Sequence, residues 1–170
     1  MIAIRFDVND EKNRASFFGR CLGEAVDCLD VNTQALWGNM TPQHMIEHLV
    51  WAFQCSTGAL VLRCHTPEQL LERAKRFLYD NRPTPRGFRN PELGEIPPAY
   101  QCASLQDART WFNQELVRFS GYYQSHPKAV HVHPIFGPLG KEEWERSHFK
   151  HCCHHLLQFG LIGGSESPGR

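Results

Sequence analysis

Apolar residues recur at three- and four-residue spacing along most of this chain, which predicts four long helices and one short one. From Glu11 to about Asp30 the stripe is Phe18, Cys21, Leu22, Ala25, Val26, Cys28 and Leu29. After Trp37-Gly38-Asn39-Met40, Thr41 is a good N-cap, and Pro42 suits the first helical position, where its missing N–H is no loss. The helix starting there runs to about Leu60. It is apolar nearly all round, with a thin polar edge of Gln43, Glu47 and Gln54, so it belongs in the centre of a bundle. His65-Thr66-Pro67-Glu68 opens a shorter piece, Pro67 to about Tyr79, capped by Thr66 and carrying Leu70, Leu71, Ala74, Phe77 and Leu78, which packs on the outside.

Between Asn81 and Ala103, five prolines with Gly87 and Gly94 forbid regular structure, and a loop of this size shapes a pocket rather than merely connecting. A further helix follows Ser104, with Ala108, Trp111, Phe112, Leu116, Phe119, Tyr122 and Tyr123 in register, and ends before His126-Pro127. Period-two alternation is confined to residues 129–133, so no sheet is expected.

The last helix, Lys141 to Gly160, carries the chemistry. At about 100° per residue, His148, His151 and His155 share one sector with Trp144, Cys152, Leu156 and Phe159, while Arg146, Ser147, Lys150 and His154 fall on the other side. Imidazoles on an apolar face need partners, because an unpaired buried polar group costs about 1–3 kcal/mol. A metal ion is the economical one. In the second helix His48 lies on the side of Met45, Ala52 and Cys55, where it can approach the late histidines. One ligand on one helix and an i, i+4 pair on another can assemble a site, and His48, His151 and His155 are the proposed set. His148 shares their sector as a hydrogen-bond donor behind the ligands, a substrate contact or the third ligand, and His44 competes with His48. Glu47, Gln158 and Asn39 are sources of the outer partner that fixes a ligand's tautomer. Neutral imidazole suits zinc, nickel, iron or copper, and three protein ligands leave a position open.

Composition narrows the rest. The 170 residues are expected to form one domain over 1–170, and 18 basic against 18 acidic residues give no electrostatic reason to bind nucleic acid or an anionic membrane. With no apolar leader and no span-length apolar run, the expectation is a soluble, cytoplasmic protein. Seven cysteines without a CxxC pair are expected to be reduced, with Cys152 as a small core hydrophobe and Cys153 at the core's margin. The four tryptophans are expected in the core. His131 and His133 alternate in an extended segment near the mouth of the bundle, where they can meet substrate or stand equally well as surface imidazoles.

Two stretches, Trp37-Gly-Asn-Met-Thr-Pro-Gln-His-Met-Ile-Glu-His48-Leu and Lys150-His151-Cys-Cys-His154-His155-Leu-Leu-Gln158, resemble the DinB/YfiT-like superfamily of metalloenzymes. There a histidine follows the helix-opening proline by six residues, as His48 follows Pro42, and a late signature supplies two more ligands, matched by His151 and His155. Leu156-Leu157 stand where many members carry arginine and glycine. The resemblance implies an all-α, up-down-down-up four-helix bundle, a three-histidine divalent metal site, and frequent homodimers. Zinc is the first candidate, with nickel or iron as alternatives. The resemblance implies an enzyme acting on a small-molecule substrate, either activating water for hydrolysis or using a low-molecular-weight thiol in transfer or isomerisation. His148, His44 and His133 are then the candidate catalytic proton carriers. The alternative is a non-catalytic metal- or ligand-binding dimeric bundle.

Overall fold

The computed structural model describes residues 2–163 apart from Arg89, Leu93 and Glu95, and the chain is mostly helical with one small antiparallel hairpin. The first helical stretch is α1 (Glu11–Ser16), one π turn (Phe17–Cys21) and α2 (Leu22–Asp27). Straight α-helical periodicity over this stretch would put Phe17 out of register with the later apolar residues. The π turn, in which the Leu22 N–H reaches back to the Phe17 carbonyl, brings Phe17 onto the same face as Leu22, Ala25 and Val26. Phe17 then meets Phe149 edge-on at 4.9 Å, and Phe18 faces Phe53 at 6.4 Å. Because the helix stops at Asp27, Cys28 is exposed, against the expectation that it would join the apolar stripe.

α3 (Pro42–Ser56) begins as its sequence predicts: the Thr41 hydroxyl accepts from the His44 N–H at 3.2 Å, with Pro42 at the first position. Its polar edge is covered rather than solvated. Buried Glu47 accepts the N–H groups of Gln101 and Cys102 at 2.8 and 3.0 Å, and Gln54 donates to Glu115 of α5 (Leu105–Ser125) at 3.0 Å. α4 (Glu68–Lys75) continues as a 3-10 turn through Tyr79. It is preceded by Pro67 rather than capped by the Thr66 side chain, and of its expected stripe only Leu78 is fully buried.

The expectation of no sheet is corrected by β1 (His131–His133) and β2 (Gly137–Leu139), which pair His131 with Leu139 and His133 with Gly137. Period-two signals are weak in strands of three residues, and Pro138 in β2 hides the pattern further.

α6 (Lys141–Gln158) departs most from its periodicity, since Arg146, Ser147 and Lys150 on its supposed outer side are all buried. Segments remote in sequence cover that face. Arg146 donates to the Val8 carbonyl at 3.0 Å and to Glu142, while Lys150 donates to the carbonyls of Phe77 and Arg82 and to Asp80. Cys152 and Cys153 are both fully buried, so Cys153 is core rather than margin, and burial pushes both thiols well above their ordinary pKa. Of the tryptophans, only Trp144 is fully buried. Among the described residues no helix is long and apolar enough to cross a membrane.

Candidate metal centre

His48 from the middle of α3 and His151 and His155 from the last turns of α6 bring their Nε2 atoms together. His48 Nε2 lies 2.8 Å and His155 Nε2 3.1 Å from His151 Nε2, and the three ligand atoms all fall within 4.8 Å of one another. His155 is buried and the other two are half-buried. The i, i+4 spacing stacks the two α6 histidines one turn apart, and α3 crosses beside them because both helices bury their apolar faces in one core.

The protonation of the cluster follows from a chain of hydrogen bonds that begins on the backbone. The Gln158 amide nitrogen donates to the Trp37 carbonyl at 2.9 Å, so the amide oxygen must face His155 Nδ1, 2.8 Å away. An oxygen only accepts, so His155 carries its proton on Nδ1 and presents a bare lone pair at Nε2. Burial pushes the pKa of His155 and His151 well below the ordinary histidine value and that of His48 down to about 4, so all three are neutral near pH 7. A single proton on His151 Nε2 would have to be shared between two neighbours, whereas one cation accepts all three lone pairs. The two spacings to His151, 2.8 and 3.1 Å, are close to those around a bound ion: imidazole nitrogens bound at about 2.0–2.1 Å stand about 2.9 Å apart at right angles and about 3.4 Å apart in a tetrahedron. The three histidines could therefore hold a metal ion.

The other histidines divide by position. His148 is 1% exposed, stacked at 4.0 Å on Phe53 and at 5.3 Å on Trp144, and its Nε2 has no hydrogen-bond partner among the described residues. It does not join the cluster of three. His133 accepts the N–H groups of Ile135 and Phe136 on Nδ1 at 3.1 and 3.3 Å, which leaves the proton on Nε2. Burial pushes both of these imidazoles down to about 3. His44 is held by the helix cap, with its Nδ1 3.0 Å from the Thr41 hydroxyl and its ring against Tyr100. His131 lies 2.8 Å from the Tyr122 hydroxyl, away from the cluster. His154, expected on the outer side, is half-buried, with its Nδ1 bonded to the Thr84 carbonyl at 3.2 Å.

The cluster opens onto a cavity of about 1220 Å³, lined by Trp51 of α3, one face of α4, part of the proline-rich loop within residues 84–94, and the hairpin turn. His133, His148 and His154 line it as well, whereas His44 and His131 do not. Of the three candidate outer partners, Gln158 holds His155. Glu47 is spent on backbone N–H groups, and Asn39 lines the cavity. The Trp37 carbonyl escapes any reading of side-chain patterns, because a backbone acceptor leaves no mark in residue type.

A family described as "Protein of unknown function (DUF1569)" matches residues 92–160, less than half of the chain. The match takes in α5, the hairpin and α6 with His151 and His155, and stops short of α3 and His48. No curated protein and no solved structure matches the chain.

Proposed function

We propose that the protein is a metal-dependent enzyme in which His48, His151 and His155 hold one divalent ion at the wall of the cavity. Zinc is the first candidate and nickel or iron the alternatives, since neutral imidazole accepts any of them. One observation carries this reading: three nitrogens converge beside a large cavity, and among the described residues no fourth histidine, cysteine or carboxylate joins them. An ion so held keeps a coordination position for a small molecule. Two further supports are the resemblance of the motifs at residues 37–49 and 150–158 to the DinB/YfiT-like superfamily and the match over residues 92–160. On this reading the long helices form that superfamily's up-down-down-up four-helix bundle.

The ion would supply Lewis acidity, lowering the pKa of a water for hydrolysis or of a thiol for transfer or isomerisation. The chain's own residues do the remaining work. Gln158 and the Trp37 carbonyl hold His155 in the tautomer that leaves Nε2 free to ligate, and the mainly apolar wall frames the approach to it. His133 offers its Nε2–H to the cavity as a neutral donor, its other nitrogen being occupied by the hairpin turn. His148 lines the same space and is the second candidate to contact or relay a proton to substrate.

Elemental analysis of protein purified without chelator tests the ion, with one equivalent per chain expected and a stoichiometry near zero defeating the proposal. The cobalt-substituted protein tests the open position. Its visible spectrum should shift on adding azide or a small thiol, and a spectrum indifferent to both would favour a non-catalytic, metal-stabilised helical protein instead.

A further inference from the structure

The cavity beside the histidines exceeds the range of about 300–1000 Å³ that small-molecule sites usually occupy, at about 1220 Å³. Its wall is mainly apolar. Leu70, Ala74 and Phe77 come from the α4 side, Ile135 and Phe136 from the hairpin turn, and Trp51 from α3. A space of this size and character holds a bulky or elongated apolar body, not a small polar metabolite alone.

Charge on the wall is one-sided. The described residues that line it include Arg73 and Lys150 but no aspartate or glutamate. Lys150 is committed, with its ammonium group donating to the carbonyls of Phe77 and Arg82 and to the Asp80 carboxylate. Arg73 is different. It is exposed, lies at helical spacing with Leu70, Ala74 and Phe77 on the lining face of α4, and makes no hydrogen bond or ion pair among the described residues. A free guanidinium at the rim of an apolar space is a fork for a carboxylate or similar oxyanion.

We propose that the cavity takes an anionic amphiphile, whose apolar body lies between α4 and the hairpin turn and whose carboxylate or equivalent oxyanion is held by Arg73. The other end of that body is directed to the histidine cluster, and in this the inference rests on the proposed metal site. Capture by the cavity and by Arg73 does not need the ion, so the two ideas are separable.

The test is calorimetric titration of the full chain, metal-loaded and after chelation, with decanoate, hexanoate, decanol and decylammonium, each below its aggregation concentration. Decanoate should bind at one per chain and at least about tenfold tighter than decylammonium. Each methylene added from hexanoate upward should tighten binding by about fourfold, the equivalent of about 0.8 kcal/mol per buried CH₂. Arg73→Gln should erase the preference for anion over cation and leave decanol unchanged. Equal affinity for decanoate and decylammonium, absence of any dependence on chain length, or an Arg73→Gln protein with full preference would each overturn the proposal. A carboxylate preference that appears only in the metal-loaded protein would put the anion on the ion and overturn the role of Arg73. Selective binding by a protein that retains no metal would sink the metal reading and leave this inference standing.

Discussion

The Gln158 amide oxygen lies 2.8 Å from His155 Nδ1, and the orientation of that amide is dictated by the Trp37 carbonyl on its other side. On the proposed metal site, loss of this bridge should weaken ion binding without abolishing it, because all three histidines remain. For Gln158→Leu, which keeps the volume and removes both hydrogen bonds, competition against a chromophoric chelator should show metal affinity lower by about 10–100-fold. Gln158→Glu still accepts from His155 but cannot donate to the Trp37 carbonyl, and should fall between. Leucine and wild type with the same affinity would mean that His155 needs no orienting partner.

Gly38 makes the bridge possible. Its φ of +78° is one that L side chains seldom adopt, and a Cβ there would lie 2.9 Å from the Gln158 amide nitrogen. Gly38→Ala should therefore lose stability by about 1–2 kcal/mol through the backbone and also push aside the amide that holds His155. Gly87, with φ of +77° and nothing within 4 Å of where a Cβ would stand, is the control. Gly87→Ala should cost similar stability in denaturant unfolding yet leave metal affinity intact. Equal effects of both on affinity would count against the bridge.

The ligand set itself is tested by three alanines. His151→Ala and His155→Ala should each abolish metal retention through gel filtration, whereas His154→Ala should leave it intact, because that imidazole stands outside the cluster with its Nδ1 bonded to the Thr84 carbonyl. In wild type the thermal midpoint should drop on chelation by an amount set by ion concentration and affinity. A wild-type midpoint unmoved after the ion has left would mean that the site does not support the fold.

These assignments differ in how far residue patterns could carry them. The convergence of His48 with His151 and His155 was legible because each lies on an apolar helical face, and two apolar faces have few ways to meet. The capping of α3 by Thr41 and Pro42 was legible for a local reason, since every atom involved lies within one turn. What stayed hidden was set by segments distant in the chain. Lys150 reads as a surface residue, and becomes buried because the 3-10 turn and the loop behind it deliver the Phe77 and Arg82 carbonyls to its ammonium. The π turn at Phe17–Cys21 is hidden for another reason: apolar residues at both helical registers are present, and only the partners Phe149 and Phe53 select between them. The pairing of the hairpin fell below detection through its length, although the alternation at residues 129–133 had already made His133 legible as a residue facing the cavity.

Acid should destabilise the chelated protein through histidines that have nothing to do with ligation. His148 and His133 are held down to about 3 by burial, whereas in the unfolded chain they titrate near the ordinary 6.5. Below about pH 6.5 the unfolded state takes up protons that the folded state refuses, so stability falls as pH drops and continues to fall until about pH 3. Each such group contributes a slope of up to about 1.4 kcal/mol per pH unit within that window. Substituting His148→Phe separates this from the ligands, since a phenyl ring keeps the stacking on Phe53 and Trp144 and removes the unpartnered Nε2. Urea unfolding of the chelated variant should give stability at pH 7 equal to or above wild type, because replacing a buried unpaired polar atom with an apolar one is neutral or favourable. The same measurement between pH 6 and 4.5 should give a slope shallower than wild type by about one proton's worth. A His148→Phe protein that is less stable at pH 7 and just as acid-sensitive would mean that this imidazole has a polar partner and is not the neutral ring its surroundings require.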